Sequence, residues 1–268
     1  MPKDGDRWRL TCDASFGDDS PNSLTRSVTL RPLRNTSHAE LKHVIPSISN
    51  LSPAATVASK QDLSAAYRSF PVARRSWHRL GHHNPDDSAV AHTVLPFGLS
   101  IAGDVCCFLT NALVDVIHSS GHHSFVYTDD FIHVGDTSSV LAAVEATRAL
   151  LSMVGLVENV KKFAEPSPSQ TLLGVRYNLA DMTVAVPADK QLDLLSRLDA
   201  LRERQRVLEG KLVSFAGAVR WLGNAIPVFR SLAAAVSLRV DGGAKSSSRR
   251  SLPMPPLAGR AFFGPTQR

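Results

Sequence analysis

Apolar and polar positions alternate most clearly between residues 124 and 134. Phe125, Val126 and Tyr127, and then Phe131, Ile132 and Val134, are aromatic or β-branched with a short polar break between them. That pattern predicts two strands, 124–128 and 131–134, joined as a hairpin. The period then lengthens to that of a helix over 137–154, with Leu141, Val144 and Leu151 inward and Gly155 as the C-terminal stop. Upstream, the apolar stretch 94–117 sets Val105, Phe108, Leu109, Ala112, Leu113, Val116 and Ile117 at helical spacing, which predicts a core helix with one apolar stripe. Asp104, Asn111 and Asp115 interrupt that stretch and argue against a membrane span. A further helix starts near Asp189 with Leu192, Leu195 and Leu198, and another runs over 212–222. Residues 56–58 read as a weak strand, and Trp8, Leu10 and Cys12 as a short alternating run in an otherwise Ser-, Asn- and Pro-rich first sixty positions. From about Asp241 the chain turns to Gly, Ser, Arg and Pro with no apolar stripe, which predicts a disordered basic tail over 241–268.

Composition narrows this picture modestly. A chain of 268 residues buries a sizeable core as one large or two small domains. Its 30 Lys and Arg against 24 Asp and Glu give a net charge of +6, which suits a phosphate-rich partner, although part of the excess lies in the tail. Three cysteines, Cys12, Cys106 and Cys107, make no disulfide framework, and no secretory apolar segment opens the chain. An intracellular setting is expected, cytoplasm or nucleus alike.

Candidate chemistry centres on the adjacent carboxylates Asp129 and Asp130 at the predicted hairpin tip. Like charges this close raise each other's pKa, so the arrangement calls for a cation, or else is an ordinary Asp-Asp turn. A metal reading needs a third carboxylate, and Asp62, in Gln61-Asp62-Leu63-Ser64-Ala65-Ala66-Tyr67, is the candidate. The other acid pairs, Asp18-Asp19 and Asp86-Asp87, lie among Gly, Pro and Ser without flanking strands and read as turns. Cys106, Cys107, His118, His122 and His123 lack the loop spacing of zinc ligands.

Three segments in order carry a resemblance. Asp62-Leu63 followed by Ala66-Tyr67 resembles the first palm motif of reverse transcriptases; Pro96-Phe97-Gly98-Leu99 resembles the second; Tyr127-Thr128-Asp129-Asp130 resembles their catalytic motif. Downstream, Gly155 to Lys162 is similar to the segment bearing a lysine near the incoming nucleotide, and Leu172-Leu173-Gly174-Val175 to the primer-grip strand. Upstream, Lys3 to Leu10 and Asp13 resemble fingers strands. The likeness covers about residues 3–235, with a flavour closest to Ty3-like and tyrosine-recombinase (DIRS-like) retrotransposons.

The resemblance implies an α+β right-hand polymerase palm, an antiparallel sheet with helices on one face, with partial fingers and a short helical thumb-like region. Its expected boundaries are 1–60 for the fingers, 61–187 for the palm with a fingers insertion at about 73–94, and 188–240 for the thumb or connection. The implied activity is RNA-directed DNA synthesis from deoxynucleoside triphosphates on an RNA or DNA template with a primer. Two Mg²⁺ ions, for which Mn²⁺ could substitute, would be held by Asp62 and Asp129 with Asp130 as helper. By the same resemblance Leu63 would offer its carbonyl, Arg9 and Lys3 would grip the triphosphate, and Phe97 and Gly98 would line the nucleotide pocket. Tyr67 would exclude a 2′-hydroxyl, unless it is a core tyrosine. Lys162 would protonate the leaving pyrophosphate, unless Lys161-Lys162 is a solvated pair. Leu173 and Gly174 would form the primer grip. Two departures stand out: Gly103 where proline is usual, and a start almost at the fingers strands, which reads as an N-terminally truncated fingers region. They keep open a second class, a catalytically silent retroelement remnant that at most binds nucleic acid.

Overall fold

The computed structural model describes residues 2–3, 7–8, 14–15, 20–25, 35–51, 56–83, 86–202, 206–241 and 251–253. The chain divides into two compact units, Met1–Thr36 with Ser59–Pro166, and Ser37–Ala58 with Ser167–Arg268. Numbered along the chain, the first holds mainly β1 (Pro2–Lys3), β2 (Arg7–Trp8), α1 (Pro21–Thr25), β3 (Val57–Asp62), β4 (Gly81–His83), β5 (Ala89–Ala91), α3 (Ile101–Ser119), β6 (Ser124–Tyr127), β7 (Asp130–Gly135), α4 (Thr137–Met153) and β8 (Ala164–Ser167). The second holds α2 (His38–Leu51), β9 (Ser169–Leu172), β10 (Val175–Asn178), β11 (Thr183–Ala185), α5 (Ala188–Arg202), α6 (Glu209–Ala225) and α7 (Val228–Asp241).

The first unit is built on a four-stranded sheet ordered β6-β7-β3-β8. β6 and β7 are antiparallel, with Phe125 opposite Ile132 and Tyr127 opposite Asp130. The predicted hairpin therefore forms, but its two-residue turn is Thr128-Asp129, and Asp130 opens β7 instead of sitting at the tip. Helix α3 packs on β6 and α4 on β7. Side chains alternate across a strand, so β3 presents Gln61 to the helices and Lys60 and Asp62 to the opposite face. On the helix side Gln61 Oε1 meets His133 Nε2 at 2.8 Å, and His133 Nδ1 meets Ser124 Oγ at 2.7 Å. Gln61 Nε2 also donates to Glu158 Oε1 (3.1 Å), which is held by Arg148. This chain of polar groups crosses three strands inside the sheet, and His133, fully buried, is driven to about pKa 3 by desolvation and then by the His122 charge.

One predicted helix face is displaced, and a second is met at Val144 and Leu151 but not at Leu141. In α3 the buried side is Ala102, Cys106, Cys107, Thr110, Val114 and Ile117, while Phe108, Leu109 and Val116 are exposed. Apolar residues line both sides of this helix, and the polar Thr110 goes inward because a backbone carbonyl waits there. In α4 Val140, Ala143, Val144, Thr147 and Leu151 are buried and Leu141 is exposed. Asp136 caps α4 by accepting from Ser139 N–H, and Gly155, at φ 74°, ends it. The adjacent Leu156 N–H closes the end by donating to Leu151 O at 2.8 Å. Helix α3 is long and apolar enough to cross a bilayer by length and composition; its buried face is packed within the unit, as in a core helix.

In the second unit β9, β10 and β11 form an antiparallel meander. Helices α6 and α7 pack together, α2 packs on α6, and Lys42 Nζ donates to Ala225 O. On α5 the inward leucines are Leu194 and Leu201, and Leu192 is exposed. The predicted fingers run at Leu10 and Cys12 and most of the tail from about Asp241 lie outside the described residues.

Candidate active site

Backbone hydrogen bonds stitch three distant segments together at the end of β3. Leu63 N–H donates to Asp129 O at 3.1 Å, Asn159 N–H to Asp62 O at 2.7 Å, and Ser64 N–H to Val157 O at 2.7 Å. Asp62, Asp129, Asp130 and Lys162 are thereby brought to one place, as their spacing in sequence could not show. Lys162 Nζ lies 3.0 Å from Asp62, Asn159 Nδ2 donates to the same carboxylate at 3.1 Å, and Lys60 Nζ stands 3.2 Å from Asp130 Oδ1. Asp130 Oδ1 is a buried oxygen whose close partner is the Lys60 ammonium.

The carboxylates act on each other. Burial, then the Asp62 charge, lifts the Asp129 carboxyl above the usual range, against the pull of its backbone hydrogen bond, Lys162 and Lys60. Asp130 is lifted as well, first by burial, then by a side-chain hydrogen bond with Asp62 and the Asp129 charge, with Lys60 opposing. Burial works to lower the Lys162 ammonium, yet its hydrogen bond to Asp62 and the three carboxylate charges outweigh that and hold it above the ordinary lysine value. All three donors are oxygen, the chemistry that suits a hard divalent cation. Among the described residues no three His, Cys, Asp or Glu side chains are grouped so that they could hold a metal ion as they stand; lysines do the neutralising here. Lys162 and its neighbour Lys161 are both exposed, and Lys162 reaches Asp62.

The turn that aims Asp129 and Asp130 is strained. Thr128 has φ 56°, a left-handed conformation that costs a β-branched residue about 1 kcal/mol or more. Its carbonyl accepts from Thr110 Oγ1 (2.9 Å) and Cys106 Sγ (3.6 Å), and its N–H donates to Asn35 Oδ1 (2.9 Å). Cys106 and Cys107 are thus packing thiols under the turn, and burial, then the Asp129 charge, pushes Cys106 up to about pKa 12.

Tyr67 is partly buried on the core and tilts against Phe97, with ring centroids 5.1 Å apart. Its hydroxyl is raised by burial and then by Cys106 and Asp129, which puts it beside the carboxylates. A Cβ at Gly103 would lie 3.7 Å from the Tyr67 hydroxyl, an ordinary contact. Gly98 has φ 105° in a turn tethered by Asn22, whose Nδ2 donates to Gly98 O and whose Oδ1 accepts from Ser100 N–H. The Leu63 side chain is buried in the core. Lys3 lies in β1 with its side chain outside the described residues, as is all of Arg9. Leu173 and Gly174 belong to the second unit, at the turn between β9 and β10. Sequence reading passed over Lys60, Asn159, Thr110 and Asn35. The signal for Lys60 was present, since it stands two positions before Asp62 on a strand and so shares its face.

No protein-family model matches the chain, and no curated protein does. Solved structures do. Foamy viral protease-reverse transcriptase "dRH" in complex with double-stranded DNA matches at TM-score 0.64 and 17% identity, over 94% of this chain and 39% of that one. Foamy viral protease-reverse transcriptase with double-stranded DNA gives 0.62 and 18% identity, over 93% and 46%. The same enzyme with RNA/DNA hybrid gives 0.54 and 18%, over 85% and 28%. The chain spans less than half the length of these neighbours. At such identity the likeness concerns the fold, and the fold is the mixed α/β architecture of reverse-transcriptase-like polymerases, as the α+β expectation held.

Proposed function

We propose that this chain, with its reverse-transcriptase-like fold, is the RNA-directed DNA polymerase domain of a retroelement, transferring deoxynucleotides to a primer 3′-hydroxyl. The observation that carries the reading is the joining of the β3 end to the Thr128-Asp129 turn through Leu63 N–H and Asp129 O at 3.1 Å, which collects three mutually perturbing carboxylates. Asp62, Asp129 and Asp130 would hold two Mg²⁺ ions. Bound, these would acidify the primer hydroxyl and neutralise charge on the triphosphate. The remaining roles belong to the chain's own side chains. Lys162, held protonated at neutral pH, would give its proton to the departing pyrophosphate. Tyr67, braced by Phe97, would stand against a ribose 2′-hydroxyl. The complexes of the foamy viral enzyme with duplex DNA and RNA/DNA hybrid support a template and primer as partners. The motif set supports a Ty3-like or DIRS-like retrotransposon as the source.

The second reading, a silent remnant that only binds nucleic acid, is favoured by one observation: Lys60 and Lys162 already neutralise the carboxylates. One assay separates the two. With an RNA template, a DNA primer, deoxynucleotides and Mg²⁺, the chain should extend the primer. The Asp129→Asn, Asp130→Asn double variant should lose roughly a thousandfold in rate, the kinetic equivalent of several kcal/mol of charge stabilisation. Absence of extension by folded protein, with salt-sensitive binding that survives the double substitution, would establish the remnant instead.

A further inference from the structure

Two of the side chains that meet Asp62 come from one short stretch, residues 157–163, which has little apolar anchorage of its own. Val157 and Val160 are 62% and 70% exposed, and Lys161 and Lys162 are exposed as well. Yet this stretch presents Asn159 Nδ2 at 3.1 Å and Lys162 Nζ at 3.0 Å to the Asp62 carboxylate. Backbone bonds from Ser64 N–H to Val157 O and from Asn159 N–H to Asp62 O fix its entry, and it leaves into β8 beside β3. Between these points lies a single 3₁₀ turn, Val160–Lys162, whose bonds are internal: Lys162 N–H donates to Asn159 O and Phe163 N–H to Val160 O. Such bonds hold the shape of the turn but do not seat it.

One residue outside the stretch touches both sides of the turn. Arg148 on α4 donates from Nε to Glu158 Oε2 at 2.8 Å, and its guanidinium lies over the Phe163 ring, 4.7 Å from the centroid. Glu158, at 9% side-chain exposure, also accepts from Gln61 Nε2. A planar cation that both bonds a carboxylate and stacks on a ring has little freedom left. Sequence neighbours are thereby paired twice, Gln61 with Glu158 and Asp62 with Asn159, so a shift of Glu158 passes to Asn159 one residue on and through the turn to Lys162. We infer that Arg148 is a positioning residue: by clamping Glu158 and Phe163 it seats the turn that carries Asn159 and Lys162 onto Asp62. Its other hydrogen bond goes to Glu145, one turn back on α4. The kinetic consequence rests on the polymerase reading; the seating of the turn does not.

The side-chain amide resonance of Asn159, followed by NMR in the full chain, reports the seating without turnover. Arg148→Met keeps the aliphatic stem, removes the guanidinium, and should move that resonance toward the position of a water-exposed asparagine. Arg148→Lys keeps the charge without the planar stack and should give a smaller shift in the same direction, so the test survives a failure of Arg148→Met to fold. Glu145→Gln, which removes the exposed partner, should leave the resonance in place. So should Ile117→Ala, which loosens the core of the same unit away from the clamp. In primer extension Arg148→Met should lower kcat roughly tenfold with KM for the deoxynucleotide within about twofold, the pattern of a misplaced proton donor. In a Lys162→Met background it should cost nothing further, because the two act as one unit. An unmoved resonance in the Arg148 variants, an equal shift in Ile117→Ala, or a full additive loss on top of Lys162→Met overturns the inference. A parent that extends no primer while the resonance still moves overturns the polymerase reading and leaves the clamp standing.

Discussion

Thr128 holds a left-handed backbone conformation in a position where glycine is the usual residue, and three neighbours hold it there: Thr110, Cys106 and Asn35. Thr110→Val keeps the shape of the side chain but removes the hydroxyl donor, leaving Thr128 O with only a weak thiol. The expected cost is about 1 kcal/mol of stability, measured by urea unfolding. A variant as stable as the parent would mean that Thr110 does not hold the turn. At this scale the sequence was informative about the carboxylates, because Asp129 and Asp130 sit between strand-forming residues and Asp62 stands in a recognisable string. It was silent about their supports. Asn159 and Asn35 act through single hydrogen bonds between residues far apart in the chain, and nothing in their local composition marks such a bond.

Helix α3 shows why element boundaries were legible and orientation was not. Periodicity located the helix, but it carries apolar residues on two sides, so the heavier stripe was read as inward. The structure instead buries the lighter side, where small Ala102, Cys106 and Thr110 allow close approach to β6 and to the Thr128 carbonyl. The two faces should respond differently to substitution. Ile117→Ala, at 1% exposure, should cost about 3 kcal/mol, whereas Phe108→Gln, at 55% exposure, should change stability by no more than about 0.5 kcal/mol. Equal losses in thermal or urea unfolding would contradict the observed orientation. Leu141 on α4 was misread in the same way, since one leucine among many apolar neighbours does not fix a helix's rotation.

For the whole molecule, the α+β palm was legible because three short motifs occur in one order and a hairpin lies between two strong helices. The boundary between compact units was not, because residues 37–58 join the second unit across a long stretch of sequence. Global stability should carry the imprint of His133. Its pKa is depressed on folding from the usual value of about 6.5 to about 3, so the unfolded chain binds the proton first. The stability it confers is complete above pH 6.5 and is lost as pH falls toward 3, at up to ~1.4 kcal/mol per pH unit. Asp129 and Asp130, raised on folding, work in the opposite direction. The measurement is therefore a difference: unfolding free energy against pH for the parent and for His133→Gln. The parent should show the steeper loss in that window, and parallel curves would mean that His133 is not held neutral. The polar chain through Gln61, His133 and Ser124 also sets a condition on how the sheet can assemble. A slip of β3 by one residue would turn Asp62 toward the helices and Gln61 away from His133, burying a carboxylate and orphaning an imidazole at once. Only one register satisfies both faces, so a misaligned sheet fails energetically before it could present a plausible but misplaced set of carboxylates.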